Sequence, residues 1–355
     1  MSVSKTAIRT FAVCGLLAAS SGSVLPQTAP AAGMDGGTAC AAMRKINVGV
    51  AVSPPNVVHT APYIAKAMGA FAKRCIDVNI VQFDGGVAGS VVTAIAQGTA
   101  IASLSLAPIA QGIKARQIWG LAPIPPQSYL VTAAIQTPAD LKGKRLSAAG
   151  GVGGFNWLMS REVLKKAGLA IGDAIMVSQG TAGRLPGFLA GQIDGVVAHP
   201  EDVFLAQAKK PGAHVLVPLT ELVPELQFNT YGASTEWIAR DRPLLRDTIA
   251  AMIEANRAMY SGADRDKLLP VILEATQKPR EAVLFAIDFL TKNCMWSVNE
   301  GFDRARIDWT MQNDVDNGDV PAAKKLGFEQ LVDLSLATEA VEMAGGHKEF
   351  GACKL

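Results

Sequence analysis

Short apolar runs and amphipathic stretches alternate along most of the chain. Residues 46–52 are rich in β-branched side chains and read as a buried strand, broken by Pro54-Pro55-Asn56. Residues 62–73 then place Tyr63, Ala67 and Phe71 on one helical face. The unit repeats as strand 78–83, stopped by Asp84-Gly85-Gly86, and helix 87–97. It repeats again as strand 100–106 and a short helix, 108–115. Successive strand–loop–helix units predict a parallel sheet covered by helices. Residues 130–135 make a further strand, and the polar turn 141–145 then changes the register. A second series follows: strand 146–149, glycine-rich loop 150–154, helix 155–167, strand 174–178, helix 183–190, strand 195–198 and helix 201–209. Residues 227–234 form a strand able to carry the chain back to the first series. Beyond it the pattern is helical, over 243–260, 264–275, 279–291 and 301–317. The tail 345–355 reads as irregular unless Cys353 pins it.

The N-terminus changes this picture by setting a compartment. Lys5 and Arg9 precede an apolar stretch at 10–19, and small residues follow at 21–23 and 29–31. That order is the pattern of a secretory signal peptide, assigned to 1–31. The apolar core falls short of the about 20 residues that span a bilayer. Val13 stands where a lipid-attachment cysteine at Cys14 would need a small residue, which favours a soluble product over a lipoprotein. Removing 1–31 takes away Lys5 and Arg9 and no acid, so the net charge of +2 falls to zero. A neutral mature chain offers no electrostatic case for nucleic acid or an anionic membrane. The remaining length exceeds what one core usually holds, so two lobes are expected.

Cys40, Cys75, Cys294 and Cys353 survive cleavage, and export permits disulfides. Four cysteines allow three pairings. The preferred pairing is Cys40–Cys75 with Cys294–Cys353, because Cys40 and Cys75 each precede a strand and parallel neighbours bring their starts together. Metal-ligand spacing is absent, so no zinc or other metal is expected, and no cofactor.

Three segments resemble a known family. The first is Ala61-Pro62-Tyr63-Ile64-Ala65 with Gly69-Ala70-Phe71 and Ile76-Asp77-Val78. The second is Gly85-Gly86 followed by Ala94-Ile95-Ala96-Gln97-Gly98. The third is Leu141-Lys142-Gly143-Lys144-Arg145 with Leu189-Ala190-Gly191-Gln192-Ile193-Asp194-Gly195. Over about 46–260 their order and spacing resemble the substrate-binding proteins of ABC importers for nitrate, taurine and alkanesulfonates, a group that includes binders of thiamine-pyrimidine precursors. The chain departs from that pattern at Thr99-Ala100, where an acidic residue is usual, in its C-terminal cysteines, and in lacking the Cys-rich signature of the related pyrimidine synthases. The resemblance implies an α/β type II periplasmic-binding fold of two parallel-sheet lobes joined by a two-strand hinge. Lobe one would comprise 44–133 and 218–355, lobe two 134–217, and the hinge strands would lie near 130–134 and 225–230.

In open parallel sheets ligands sit beyond the carboxyl ends of the strands, where helix N-termini present unpaired N–H groups. The loops there supply the candidates. Ser53, Asn56 and His59 offer hydrogen bonds, with helix capping as the competing role. Phe83 can stack on a planar ligand, and Gly85 and Gly86 permit close backbone approach. Ser105 ends the third strand. Gly151 and Gly153 form an anion nest leading to Phe155 and Asn156; a dinucleotide fingerprint is excluded because Asn156 stands where the third glycine belongs. Gln179, Thr181 and Arg184 follow the next strand, and Arg184 can pair bidentately with an anionic head. His199 and Tyr231 complete the set. No nucleophile elbow occurs, and the four histidines lack metal spacing, so the chain is not expected to be an enzyme. The expected activity is extracytoplasmic solute binding by hinge closure, as a monomer that serves an ABC permease. The expected ligand is a small sulfonate or aromatic carboxylate. The alternatives are a secreted enzyme of the same fold acting on a small heterocycle, and a ligand-sensing subunit of a membrane receptor.

Overall fold

A computed structural model of the chain describes residues 40–83 and 90–355. The signal segment 1–31 and the pair Gly85 and Gly86 lie outside the described residues. Strands β1 (Arg44–Val50) and β2 (Ile76–Gln82) are parallel, in register from Arg44 opposite Ile76 to Val50 opposite Gln82. Helix α1 (Ala61–Ala67) connects them and buries Ile64 and Ala65. A parallel bridge from Val48 to Ile101 joins β1 to β3 (Ala102–Ser103), which is preceded by α2 (Ser90–Ala96) and followed by α3 (Leu106–Ala110). Strand β4 (Ala115–Ala122) completes the first series.

The chain then leaves this sheet through Pro123, Ile124, Pro125, Pro126 and Gln127. Three prolines in five residues remove the N–H donors that a ladder needs, so the segment spans between sheets without joining one. The second sheet has the order β7-β6-β8-β5-β9. Its strands are β5 (Ser128–Val131), β6 (Arg145–Ser147), β7 (Ile175–Val177), β8 (Gly195–Ala198) and β9 (His214–Pro218). Its helices include α4 (Phe155–Lys165), α5 (Arg184–Leu189) and α6 (Pro200–Lys209). Residues 219–228 return the chain to β10 (Asn229–Ser234), which lies between β3 and β4.

The two-lobed α/β arrangement is thus present, with mixed sheets instead of purely parallel ones. Strand β5 is antiparallel to β8 and β9, and β10 is antiparallel to β3 and β4. The reason is directional. Strands of each series end at the cleft, so a chain crossing there enters the next sheet from its cleft edge and must run backwards. The crossings fall at 123–127 and 219–228, ahead of the expected 130–134 and overlapping 225–230. Strand β4 lies where the pattern predicts only the end of a helix. Its buried run of Ile118, Trp119 and Leu121 is too short to separate strand from helix by period.

The C-terminal helices pack on the first lobe. The longest, Arg242–Ser261, buries Ile249, Ile253 and Met259 against it. Asp241 caps its start by accepting from Leu244 N at 3.2 Å, and Gly262 at φ +70° ends it. Both preferred disulfides are formed, Cys40–Cys75 and Cys294–Cys353. The second holds a tail whose Leu355 carbonyl also accepts from Asn299 N at 3.2 Å.

Candidate functional site

A cavity of about 150 Å³ lies between the two sheets. Ala51 and Val52 at the end of β1, Ser103 and Ser105 around the end of β3, and Gln117 within β4 line it from the first lobe. The crossings supply Gln127, Leu226, Gln227 and Phe228. The second lobe supplies Gly153, Phe155, Asn156 and Met159 of the turn and start of α4, then Thr181, Arg184 and His199. The helix Arg304–Asp316 closes the remaining side with Thr310, Asn313 and Asp314. Phe155 and Phe228 meet at 5.2 Å and give the cavity an aromatic wall.

Two neutral histidines face each other at one end, their rings 5.4 Å apart. Burial, reinforced by the Arg184 charge, lowers His59 to about 3. Burial, then Arg184, His59 and Lys278, holds His199 well below the ordinary imidazole range. The Gln127 amide lies 3.2 Å from His199 Nε2, and His199 Nδ1 has no partner among the described residues. His59 Nδ1 is likewise without a partner among the described residues. Four amide oxygens along the lining, those of Gln117, Gln127, Gln227 and Asn156, also lack partners among the described residues.

Behind the histidines, Asn56 ties the lobes together. Its Nδ2 donates to Glu201 Oε1 at 2.8 Å, and its Oδ1 accepts from Arg184 Nη2 at 2.9 Å. Glu201 Oε1 also accepts from Val57 N at 3.0 Å. Burial and the adjacent Asp202 raise Glu201 above the usual carboxylate range. Lys278 pairs with Asp202, and Phe204 of α6 packs on Phe285 at 5.2 Å. On the opposite rim Arg161 forms a fork with Asp319 at 3.0 and 2.6 Å, and Asn317 Nδ2 donates to Glu162 at 3.0 Å. Both rims of the cleft are therefore closed by contacts between the lobes.

Of the residues singled out in sequence, His59, Ser105, Gly153, Phe155, Asn156, Thr181, Arg184 and His199 line the cavity. Others are near it in different roles. Ser53 Oγ donates to Gln82 at 2.8 Å, and Asn56 sits one layer back. Gln179 Nε2 donates to Ser147 Oγ at 3.3 Å. Gly151 turns the backbone at φ +83°. Phe83 packs against the Val91 and Ile95 cluster, and Tyr231 is buried 6.0 Å from Trp119, away from the lining. Gln117, Gln127, Gln227 and Asp314 were not anticipated. The available signal for Gln117 is one amide within an otherwise apolar buried run, since such a group is kept only where it has a partner or a task.

A family model described as "NMT1/THI5 like" matches residues 56–264, more than half of the chain. The chain belongs to the NMT1/THI5-like family. No curated protein sequence matches it. Among solved structures, this NMT1/THI5-like chain is similar to the alkanesulfonate-binding protein SsuA from Xanthomonas axonopodis pv. citri bound to MOPS. That match has 18% identity and a TM-score of 0.63, covering 82% of this chain and 99% of that one. It is similar to the periplasmic nitrate-binding protein NrtA of Synechocystis PCC 6803, at 15% identity and a TM-score of 0.65, covering 85% and 89%. The desulfurization enzyme DszB also matches, at 15% identity and a TM-score of 0.57, covering 84% and 99%. The shared fold thus accommodates both binding proteins and an enzyme.

Proposed function

We propose that this protein is the extracytoplasmic ligand-binding component of an ABC importer, and that it takes one small organic molecule into the cleft between its lobes. The observation that carries this reading is the cavity itself. It is formed by strand ends of both sheets and lined by an aromatic pair and by buried polar atoms without partners among the described residues. A cavity of this size holds about one benzene-sized ring. In the family-based reading the ligand joins two lobes that separate without it, and a membrane permease recognises the closed form. No described helix is long and apolar enough to cross a membrane. Export through 1–31, a location outside the cytoplasmic membrane and a monomeric state belong to the same proposal.

An anionic ligand head was expected at Arg184 and at the glycine turn. Both are already engaged within the protein. Arg184 Nε donates to Thr181 O at 3.1 Å and its Nη2 to Asn56. In the turn, Gly151 N donates to Ala148 O at 2.8 Å and Gly154 N to Gly151 O at 3.1 Å. A screen of single-ring acids, amides and amines by thermal shift tests the reading, since a ligand bound only by the folded state raises Tm. Binding with compaction in solution scattering supports it. A chain that binds none of them sinks it.

One observation favours a second reading, an enzyme on a small heterocycle. His59 and His199 are unprotonated bases facing the cavity, and DszB shows that the fold can host chemistry. Mass spectrometry of the bound molecule separates the two. A binder returns it unchanged, whereas an enzyme returns a product.

A further inference from the structure

The wall made by β4, the second crossing and the helix Arg304–Asp316 carries acceptors that nothing among the described residues uses. Gln117 is 2% exposed and Gln227 5%. Gln117 Nε2 donates to Leu104 O at 2.8 Å, and Gln227 Nε2 donates to Gly301 O at 2.8 Å. Those bonds fix the amide orientation, since a flipped amide would set oxygen against carbonyl oxygen. The free atom is therefore Oε1 in each case, and neither has a partner among the described residues. An unmatched buried acceptor costs about 1–3 kcal/mol. It is tolerated in a cleft when a ligand donor completes it.

Asp314 lines the same cavity, and its carboxyl accepts no hydrogen bond among the described residues. The nearby cation is not available to it. Arg161 spends its fork on Asp319 and turns Nε toward Glu162 at 3.5 Å. Lys165 lies 3.8 Å from Glu162. Three acids thus face two bases, and Asp314 is the acid left over. The wall thus gathers one carboxyl and two fixed lone-pair acceptors that no hydrogen bond among the described residues uses.

We propose that this wall is a recognition site for a protonated nitrogen group, such as an amidinium or ammonium on a single ring, which ion-pairs with Asp314 and donates to Gln117 Oε1 and Gln227 Oε1. The inference deepens the cleft-binding reading and rests on it. It reverses the charge expected for the ligand. A planar amidinium suits the site because its several N–H groups diverge toward separate acceptors. Burial, followed by repulsion from Asp319, raises Asp314 to about 7, so the carboxyl is costly to ionise until a cation arrives.

Benzamidine, benzamide and benzoate share one ring and differ in charge and donors, and they serve as probes. Binding is measured at pH 8 by calorimetry and thermal shift on the mature chain, and repeated for Asp314→Asn and Gln117→Leu. The expected result is benzamidine binding tightest. It should weaken at least tenfold in Asp314→Asn, while benzamide is unchanged in that variant. Gln117→Leu should weaken both benzamidine and benzamide. The Tm of each unliganded variant establishes that it folds. Benzoate binding best, or benzamidine affinity unmoved by Asp314→Asn, overturns the cation site and leaves cleft binding standing. Failure of all three probes overturns the cation site, and the wider thermal-shift screen then decides whether cleft binding stands.

Discussion

The two walls of the cleft differ in how they are built. The second-lobe wall consists of loops at strand ends and the helix starts that follow: Gly153 and Phe155, Thr181 and Arg184, His199. The opposite wall takes Gln117 from inside a strand, Gln227 from a crossing segment and Asp314 from a helix some 90 residues further on. The first wall carries the Arg184 cation, which bonds to Thr181 O and Asn56, and the neutral His199. The second leaves the Gln117 and Gln227 amide oxygens open among the described residues. A strand-end loop carries its chemistry next to a local signal, a glycine or a cap. A wall assembled from distant elements carries none, and its character emerges only when those elements meet.

Perturbations of the acceptor-rich wall should have the larger effects. Gly120, three residues beyond Gln117, lies against the backbone of Gly301, and a Cβ there would sit 1.9 Å from the Gly301 carbonyl oxygen. Neither backbone can retreat, because Gly120 N also donates to Glu300 O at 2.9 Å. Gly120→Ala should cost on the order of 4–5 kcal/mol or prevent folding, read as the denaturant midpoint. A wild-type midpoint would mean that β4 is not held against 297–301 as described.

The disulfides come next. Both lie in the first lobe, with separations of 35 and 59 residues, and among the described residues the second lobe contains no disulfide. Loop-closure entropy assigns about 4 kcal/mol to each. Reduction should therefore destabilise the first lobe selectively, visible as faster amide exchange in 242–292 than in 155–209. Uniform acceleration across both lobes would contradict this asymmetry.

Asp314 has an intermediate effect with a defined sign. Its folded pKa is raised, so the folded state holds the proton more tightly than the unfolded chain. The stability it contributes is present at low pH and is lost as pH climbs from about 4 to about 7, with Arg161 partly opposing and Asp319 reinforcing the shift. Asp314→Asn should flatten that decline and leave the ligand-free protein more stable at pH 8, by on the order of 2 kcal/mol. An unchanged pH profile would place the carboxyl in solvent.

The smallest change is expected at the rim. Arg161→Ala removes a fork to Asp319 that remains partly exposed, so it should cost about 1 kcal/mol. Its clearer signature is geometric. If this pair helps to close the cleft, the unliganded variant should have a larger radius of gyration than wild type in solution scattering.

Much of the fold was legible because its signals are local. The pattern placed the long helix at 243–260, and the structure puts it at Arg242–Ser261, where Asp241 caps and Gly262 terminates it. The cysteine pairing followed from adjacent parallel strands, since Cys40 and Cys75 each stand before one. Strand β4 was missed because its apolar run fits either period, and only pairing with β10 decides it. The antiparallel direction of β5 and β10 was missed for a related reason, since direction belongs to a pair of strands and not to a segment.

The sequence by itself determined the export pattern, the two strand–helix series, the family and the strand-end half of the cleft. Each depends on residues close enough along the chain for steric preference, capping and periodicity to act directly. Tertiary structure alone decided the mixed sheets, the two rims that join the lobes, and the open acceptors of Gln117, Gln227 and Asp314. Those features depend on which lone pairs remain unmatched after distant segments pack, and Gln117 keeps an open oxygen among the described residues because its amide nitrogen is committed to the Leu104 carbonyl.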